Sequence, residues 1–268
     1  MISNNDLGNL GRLGNQMFQY SALIGLSKKH NYDYCLPPRE IVGTLDPNVG
    51  NSDTTLFETF KISEAPRHLT NFSRVYESIP GFDESLWENC PDNVNLHGYF
   101  QTEKYFKHVE SDLRKEFIFV DDIFEPSQEN FKSLFGNSEV ISIHVRRGDY
   151  LLSDGHIKQT SDYYKRAIDI LPKEIPIIIF SDGIDWCKDQ KVFEGERFVF
   201  SENNNTSVDL CLQSLCSYHI ICNSSFSWWG SWLAKSKKTI APSKWFNQPN
   251  EKNNDIYVQD WTVLNSMI

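Results

Sequence analysis

Two adjacent arginines follow directly on an apolar segment in the sequence "ISIHVRRGDY" (141–150). The apolar pattern ends at Val145, so Arg146 and Arg147 are predicted at the carboxyl end of a strand, where open α/β sheets bind their ligands. Two guanidinium groups there present planar donor forks that suit phosphate oxygens. The alternative is that one or both arginines pair with Asp149 or another acid and stabilise a loop.

A glycine-rich turn precedes the first predicted helix in the sequence "GNLGRLGNQMFQY" (8–20). Its three glycines are spaced three apart, which matches neither the dinucleotide-binding fingerprint nor a P-loop, so neither kind of nucleotide site is indicated. The free backbone N–H groups of a helix that begins near residue 15 still favour an anion, although a plain tight turn also explains the glycines. The candidate ligand contacts in this turn are Arg12, Gly14, Asn15 and Gln16.

A third candidate segment is "IICNSSFSWWGSWL" (220–233), in which an apolar strand is followed by small polar residues and an aromatic helix start. Asn223, Ser224 and Ser225 leave room for a ligand and can cap the helix, whose first N–H groups again favour an anion. The three tryptophans of this helix are predicted to pack in a core or between domains rather than to stack on a sugar.

Two more side chains on predicted strands could take part in a site. Asp182 follows the apolar run "IIIFS" and is either a ligand contact or part of an Asp-Gly turn. His144 could act as a base, but its place on an apolar strand is equally typical of a buried, hydrogen-bonded histidine. The sequence contains neither the D-x-D pattern of metal-dependent sugar transfer nor the G-x-S-x-G elbow of a serine nucleophile.

Composition limits the classes of ligand. The 268 residues include 36 acidic and 26 basic side chains, a formal net charge of -10, which argues against broad binding to nucleic acid or anionic lipid. An anionic ligand must therefore meet a local basic pocket. The six cysteines form no C-x-x-C pair and are predicted to be reduced core thiols rather than a zinc site. Because no apolar run has the length of a membrane span or signal peptide, we expect a cytoplasmic protein, with peripheral association at a membrane left open.

The pattern of apolar residues predicts an α/β architecture. From Glu139 onward, short apolar runs alternate with segments whose apolar residues recur every three to four positions, which predicts a parallel sheet covered by helices. The first half contains a weak strand candidate, a helix over 15–30 and a short strand before two prolines. We expect two domains, 1–135 and 136–268, with the crossing between them in residues 121–135.

Five segments of the sequence occur together in one known family. The chain resembles the family 11 glycosyltransferases, the α-1,2-fucosyltransferases, whose motifs appear in the same order and span nearly the whole chain. The matching segments are "GRLGNQMFQYSAL" (11–23), "GYFQTEKYF" (98–106), "HVRRGDY" (144–150), "FSDG" (180–183) and "NSSFSWWGSWLA" (223–234).

The resemblance implies a fold, a donor and an acceptor. The fold would be α/β of the GT-B type, with two Rossmann-like domains, a parallel sheet in the C-terminal domain and the donor site in the cleft. Domain 1–135 would lie on the acceptor side, and domain 136–268 would bind GDP-β-L-fucose. The enzyme would transfer L-fucose to the 2-hydroxyl of a terminal galactoside with inversion at the anomeric carbon, with no cofactor and no required metal.

The resemblance also implies roles for single residues. Arg146 would contact the donor diphosphate, Arg147 would support it, and His144 would lie beside the nucleotide. Asn15 would face the diphosphate or the acceptor from the other domain. The remaining candidate contacts, from the motifs and the resemblance together, are Arg12, Gly14, Gln16, Asp182, Asn223, Ser224, Ser225 and Phe226.

A carboxylate could remove the proton of the attacking acceptor hydroxyl. Asp149 is the first candidate because it belongs to the arginine loop, and Glu103 is the second. A mechanism without a dedicated base, in which phosphate or water takes the proton late, stays open.

The sequence departs from the family pattern at three places. It begins with the polar segment "MISNNDLGNL" in place of an apolar strand, and the usual "SDD" is replaced by "SDG" (181–183). Protein fucosyltransferases carry an acid before the strand that leads to the serines, where this chain has Ser-Tyr-His (217–219), so the group that reads the guanine is unassigned. Two alternatives stay open: a fucosyltransferase of another linkage or acceptor, and a nucleotide-sugar or glycan-binding module without catalysis.

Overall fold

The chain forms two compact α/β units. The structure is a computed structural model that describes residues 1–42, 56–63, 65–78, 81–151, 157–247 and 253–266. Unit 1 comprises Met1–Val120 and Asn250–Ile256, and unit 2 comprises Asp121–Pro249 and Tyr257–Ile268.

Unit 1 contains a parallel sheet of short strands. Its strands are β1 (Ile2–Ser3), β2 (Tyr34–Cys35), β3 (Ser73–Tyr76) and β4 (Val94–His97), and its helices are α1 (Leu13–His30), α2 (Leu56–Thr59), α3 (Glu84–Asn89) and α4 (Glu110–Glu116). Short 3-10 turns lie at Arg39–Ile41, Glu103–Tyr105, Lys107–Val109 and Asn253–Ile256. The strand order is β2-β1-β4-β3, and every pairing is parallel.

The polar N-terminus contains an inner strand of this sheet. Ile2 and Ser3 pair with β2 on one side and with β4 on the other, and both residues are buried. Just beyond β1, the backbone N–H of Asn5 donates to Oδ1 of Asn95 at 2.7 Å, so a side chain satisfies the backbone where the strand ends. A strand of two residues explains why the sequence shows no apolar run at this position.

Helix α1 is surrounded by unit 1 on nearly all sides. Its side chains are buried almost continuously from Leu13 to Ser27, including the polar Gln16 and Gln19, so the predicted apolar stripe is one part of a wider buried surface. Gly25 lies directly against the 3-10 turn that follows the sequence "GYFQT", since a Cβ atom at Gly25 would be 1.9 Å from the carbonyl oxygen of Tyr105. The glycine therefore allows close packing between the two segments.

A distant segment of the chain completes unit 1. The carboxylate of Asp255 accepts the backbone N–H of Phe82 at 3.0 Å and pairs with Nζ of Lys104 at 2.5 Å. The carbonyl oxygen of Asp255 accepts the hydroxyl of Thr102 at 2.6 Å. This return segment thus bonds to several parts of unit 1.

Unit 2 contains a second parallel sheet, as predicted from the alternation after Glu139. Its strands are β5 (Ile141–Val145), β6 (Ile177–Ser181), β7 (Phe198–Phe200), β8 (Tyr218–Ile220), β9 (Lys238–Pro242) and β10 (Thr262–Leu264). Its helices are α5 (Asp121–Phe135), α6 (Gly148–Leu151), α7 (Ser161–Ile170), α8 (Ile184–Lys188), α9 (Thr206–Ser214) and α10 (Ser225–Ala234), with a 3-10 turn at Lys191–Phe193. Strands β5 to β9 match the predicted apolar runs, whereas the short edge strand β10 is not indicated by the sequence pattern.

The boundary between the units lies at Val120–Asp121, at the start of the segment 121–135 rather than at its end. Helix α5 belongs to unit 2 because Phe131 and Phe135 pack with the apolar cluster beside β5 and β6. Pro126 lies inside this helix, and since an interior proline usually breaks a helix, the local sequence does not indicate one continuous element.

The strand order in unit 2 creates a switch point. The order is β10-β9-β8-β5-β6-β7, so the chain runs outward from β5 to β7 and then returns to β8 on the other side of β5. In open parallel sheets, ligands bind outside the carboxyl ends of the strands where the winding reverses. The predicted arginines follow β5 and the predicted serines follow β8, so these segments flank the switch point.

Both faces of the unit 2 sheet are buried. Ile177 and Ile179 of β6 belong to one apolar cluster, whereas Ile178 and Phe180 belong to another, as expected when successive side chains point to opposite faces. Burial of both faces explains why the strands appear in the sequence as continuous apolar runs.

The aromatic helix α10 packs into unit 2. Trp228 and Trp229 are fully buried, and the rings of Trp228 and Trp261 lie 5.6 Å apart. The interpretation of these tryptophans as packing residues is therefore confirmed.

The six cysteines all lie within the described ranges, where they are buried free thiols, as predicted. Among the described helices, none combines the length and the apolar character that crossing a membrane requires. The cytoplasmic address remains a prediction from the sequence.

Candidate active site

One aspartate holds the arginine loop at the end of β5. Nη1 of Arg146 lies 3.0 Å from Oδ2 of Asp182, and the backbone N–H of Arg147 donates to Oδ1 of the same carboxylate at 2.7 Å. Asp182 follows β6, the neighbour of β5, so the two strand ends are joined at the carboxyl edge of the sheet. The alternative that an arginine of this loop pairs with an acid therefore holds for Arg146, and its partner is Asp182. This pairing orients the planar fork of Arg146.

Arg147 has an unsatisfied donor. The guanidinium carbon of Arg147 lies 4.1 Å from the centroid of the Trp186 ring, on which the group stacks. A Cβ atom at Gly183 would lie 2.9 Å from Cβ of Arg147, so a side chain at residue 183 would collide with Arg147. The Nε–H group of Arg147 is buried and has no hydrogen-bond partner among the described residues. A buried unpaired donor costs about 1–3 kcal/mol, so an anionic ligand oxygen at this position would offset a real penalty.

The residues that follow the arginines are tightly packed. A Cβ atom at Gly148 would lie 2.4 Å from Oδ2 of Asp182, so only glycine fits between the arginines and α6. The side chain of Asp149 lies outside the described part of the structure, and its role as a catalytic base remains a prediction.

His144 is a buried, hydrogen-bonded side chain. It is 5 % exposed, its Nδ1 lies 3.2 Å from the Sγ atom of Cys222, and its ring centroid is 5.4 Å from that of Phe226. Burial, assisted by the nearby charge of Arg146, lowers the pKa of His144 to about 3. The ring is therefore neutral near pH 7, which favours the interpretation as a buried residue over that as a general base.

The buried histidines should make the fold sensitive to acid. Burial also lowers the pKa of His219, to about 4, whereas an unfolded histidine titrates near 6.5. Because the unfolded chain binds more protons below pH 6.5, the unfolding free energy should fall with decreasing pH, by on the order of 1 kcal/mol per pH unit for each buried histidine. In denaturant titrations at pH 7, 6 and 5, a His144→Gln variant should show a shallower fall than the parent.

The control for this measurement is the exposed His68. A His68→Gln variant should keep the parental dependence on pH. Equal dependence in the parent and in His144→Gln would contradict a neutral, buried His144.

The strand end after β8 combines a fixed amide with two hydroxyls. Oδ1 of Asn223 accepts from Gln159 at 3.1 Å, and its Nδ2 donates to the carbonyl oxygen of Trp245 at 3.3 Å, so this amide holds the strand end within unit 2. Ser224 occupies the N-cap of α10 without a side-chain capping bond, and both Ser224 and Ser225 are half-buried. The serines are therefore better placed than Asn223 to contact a ligand.

Two aromatic residues that the sequence pattern does not single out also position this site. The hydroxyl of Tyr150 donates to the carbonyl oxygen of Asn223 at 2.8 Å, and its ring lies 5.5 Å from the guanidinium carbon of Arg146. Together with Trp186, which supports Arg147, Tyr150 fixes the cationic loop. Tyr150 is part of the matched segment "HVRRGDY", which is the one signal in the sequence that points to it.

In unit 1, the glycine turn meets the second matched segment. The side-chain amide of Gln101 donates to Oδ1 of Asn15 at 2.7 Å, which links "GRLGNQ" to "GYFQ". Gly11 has a φ of +91°, and a Cβ atom there would lie 2.1 Å from the Asn15 amide, so this turn requires glycine. Arg12 is exposed at the N-cap of α1.

The other predicted residues of unit 1 have structural partners. Oε1 of Gln16 accepts the backbone N–H of Leu56 at 2.9 Å, and Gly14 is buried in the first turn of α1. Glu103 is buried and pairs with Nζ of Lys107 at 2.9 Å. Their roles toward a ligand remain predictions.

Two named relatives match most of the chain. An α-1,2-colitosyltransferase from Escherichia coli is 31 % identical and aligns with 95 % of this chain and 96 % of that protein. The galactoside α-(1,2)-fucosyltransferase 2 of Oryctolagus cuniculus is 25 % identical and aligns with 84 % of this chain and 65 % of that protein.

The fold resembles those of solved fucosyltransferases. The structure of POFUT1 in complex with GDP-fucose aligns with 88 % of this chain and 94 % of that chain, with a TM-score of 0.55 and 13 % identity. The two parallel-sheet units and this likeness confirm the predicted GT-B-like α/β fold. The model of the family described as Glycosyl transferase family 11 matches residues 1–265. The chain therefore belongs to glycosyl transferase family 11.

Proposed function

We propose that this protein transfers L-fucose from GDP-β-L-fucose to the 2-hydroxyl of a terminal galactoside, with inversion at the fucose anomeric carbon. Family membership supports the reaction class, and the name of the rabbit relative supports the α-1,2 linkage. The observation that carries the proposal is the arginine loop at the switch point of unit 2, where Asp182 orients Arg146.

The chemistry of the leaving group fits this loop. As the bond from fucose to GDP breaks, negative charge grows on the β-phosphate. A preoriented guanidinium fork binds that charge more strongly in the transition state than in the ground state, which accelerates the reaction. We assign this role to Arg146, and we assign the unpaired Nε–H of Arg147 to a second phosphate oxygen.

The remaining donor contacts come from the strand end after β8. Ser224 and Ser225 would donate hydroxyl hydrogens to phosphate or sugar oxygens, and Phe226, which packs on His144, would close the site beside them. In unit 1, Gln101 fixes the side chain of Asn15, whose contact with a ligand remains a prediction.

Product formation tests this function. The protein incubated with GDP-fucose and lactose or N-acetyllactosamine should release GDP and form a fucosylated product whose linkage analysis shows fucose on O2 of galactose. The rate should be unchanged by EDTA, since the resemblance implies no required metal. A product with another linkage would favour a fucosyltransferase of different linkage. Binding of the donor without product would favour a nucleotide-sugar or glycan-binding module without catalysis.

A second donor is favoured by one of the relatives. The relative from Escherichia coli is named a colitosyltransferase, and colitose differs from fucose by the loss of the 3-hydroxyl. A site that hydrogen-bonds the 3-hydroxyl rejects the deoxy sugar, because its polar partner would remain unpaired. Measuring kcat/KM for GDP-fucose and for GDP-colitose decides between the two donors. If kcat/KM is higher for GDP-colitose, colitose rather than fucose is the sugar transferred.

A further inference from the structure

A thiol and an imidazole contact each other at the carboxyl ends of two neighbouring strands in unit 2. Cys222 lies two residues after β8, and His144 is the fourth residue of β5, which pairs with β8. Sγ of Cys222 lies 3.2 Å from Nδ1 of His144, and the two residues are 1 % and 5 % exposed. Because the contact is shielded from water, its geometry decides which ring nitrogen carries the hydrogen.

Burial keeps both groups uncharged. It lowers the pKa of His144 to about 3, as described above, and it raises the pKa of the Cys222 thiol to about 12. Near pH 7 the thiol therefore keeps its hydrogen, and the neutral imidazole has one N–H and one bare nitrogen. Two arrangements follow: either S–H donates to a bare Nδ1, or Nδ1–H donates to sulfur.

The thiol is better placed as the donor. An imidazole nitrogen is a good acceptor, whereas sulfur is a weak one. If Nδ1–H donated to sulfur, the thiol hydrogen would lose its partner, because Oγ of Ser227 is 4.0 Å from Sγ and itself donates to the carbonyl oxygen of Ser224 at 3.4 Å. The S–H of Cys222 therefore donates to Nδ1, and the ring hydrogen of His144 is on Nε2.

Nε2 of His144 is the ring nitrogen that can bind a ligand. It makes no hydrogen bond within the part of the chain that the structure describes. The ring lies two residues before Arg146 and packs at 5.4 Å against Phe226, which directly follows the two serines after β8. A neutral N–H at this place binds an oxygen without repelling the guanidinium of Arg146, as a second cation would.

We propose that Cys222 is a positioning residue whose thiol holds His144 as the Nε2–H tautomer, so that Nε2–H donates a hydrogen bond to an oxygen of the donor nucleotide. This inference rests on the proposed function, in which GDP-fucose binds at this edge of the sheet. The family resemblance implies only that His144 lies beside the nucleotide. The tautomer and the role of Cys222 come from the contact between the two side chains.

Nitrogen-15 NMR of the imidazole rings tests the tautomer directly. In the parent without ligand, His144 should have a protonated Nε2 and a bare Nδ1 from pH 6 to 8, with its signals assigned by their absence in His144→Gln. Addition of GDP should shift the Nε2 signal. A protonated Nδ1 in the parent, or a His144 spectrum that GDP leaves unchanged although GDP binds, would overturn the inference.

His219 provides an internal control in the same spectra. It is fully buried, and both ring nitrogens have partners: Nδ1 lies 3.0 Å from Oγ of Ser236, and Nε2 lies 2.9 Å from the carbonyl oxygen of Gln213. Its signals should move neither on addition of GDP nor on replacement of Cys222.

Two variants of Cys222 test the role of the thiol. Cys222→Ala removes the donor, so His144 should become a mixture of both tautomers, and the Kd of GDP measured by calorimetry should rise about tenfold. Cys222→Ser retains a hydroxyl that can donate to Nδ1, so it should keep the Nε2–H tautomer with a Kd within about threefold of the parental value. The conservative variant thus rescues what alanine loses.

The matched control for lost packing is Cys216. It is a buried thiol just before the opposite end of β8, and its S–H donates to the carbonyl oxygen of Leu212 at 3.4 Å. Cys216→Ala removes the same side-chain atoms from unit 2 but leaves the contact between Cys222 and His144 intact, so the tautomer and the Kd of GDP should be parental. An equal loss of GDP affinity in Cys216→Ala and Cys222→Ala would overturn the role of Cys222.

The outcomes separate this inference from the proposed function. A parental tautomer and a parental Kd of GDP in Cys222→Ala would overturn the inference while leaving fucosyl transfer intact. If Cys222→Ala does not fold, the tautomer of the parent and its response to GDP still decide the inference. If His144 and GDP behave as expected but no galactoside is fucosylated, the proposed function fails and the role of Cys222 in nucleotide binding stands.

Discussion

Replacement of Arg146 by lysine should lower kcat for fucosyl transfer about 100-fold, while GDP binding weakens much less. Lysine keeps the positive charge and can still approach Asp182, but it lacks the planar fork that binds two oxygens at once. Losing one preoriented donor to a developing charge typically costs 100- to 1000-fold in kcat, roughly 2.7–4 kcal/mol. Steady-state kinetics with GDP-fucose and a galactoside, combined with calorimetric titration of GDP, measures both effects.

A second arginine in unit 2 provides the control for this experiment. Arg166 lies on α7, where its Nε pairs with Asp162 at 2.7 Å in an exposed ion pair. Arg166→Lys should leave kcat unchanged, because exposed pairs contribute little and this one lies on the body of a helix. Near-parental turnover in Arg146→Lys would contradict the proposal that Arg146 stabilises the transition state.

Replacement of Gly25 by alanine should lower the free energy of unfolding by about 3 kcal/mol. The new methyl group would lie 1.9 Å from the carbonyl oxygen of Tyr105, and both partners in this collision are backbone segments that cannot turn away as a flexible side chain can. Overpacking of this kind costs typically 1–3 kcal/mol, and a backbone collision belongs at the upper end. Urea unfolding followed by far-UV circular dichroism measures the change.

The control for this substitution is on the same helix. Lys28 is exposed near the end of α1, so Lys28→Ala should change the unfolding free energy by less than about 0.5 kcal/mol. A comparably small effect of Gly25→Ala would mean that α1 and the segment after "GYFQT" do not pack at the distance described.

The sheet of unit 2 was predictable because its strands are buried on both faces and its helices are periodic. Burial of both faces leaves continuous apolar runs such as "IIIF", and the residues directly after those runs are the candidate ligand contacts. The partner of Arg146 was harder to predict. Asp149 is near in sequence, but Asp182 is near in space because β6 adjoins β5, and strand order is not encoded in a local pattern.

The exposed strand β3 of unit 1 and the residue that follows it, Glu77, show the opposite case. Strand β3 is largely exposed, so its residues show no apolar alternation that would predict a strand. Glu77 becomes noticeable only when β3 pairs with β4, because that pairing brings the carboxylate to the backbone of Tyr99. A parallel pairing between separate segments depends on the tertiary structure rather than on local propensity.

The return of Asp255 to unit 1 has a consequence for the evolution and engineering of this chain. Neither unit is a contiguous stretch of sequence, so a fragment of residues 1–120 would lack the acceptors for the backbone of Phe82 and the hydroxyl of Thr102. Recombination between relatives by a single crossover near residue 120 would combine a unit 1 from one parent with the Asp255 segment of the other. Chimeras that exchange unit 1 between relatives should therefore carry two crossovers, so that the Asp255 segment comes from the same parent as the sheet it supports.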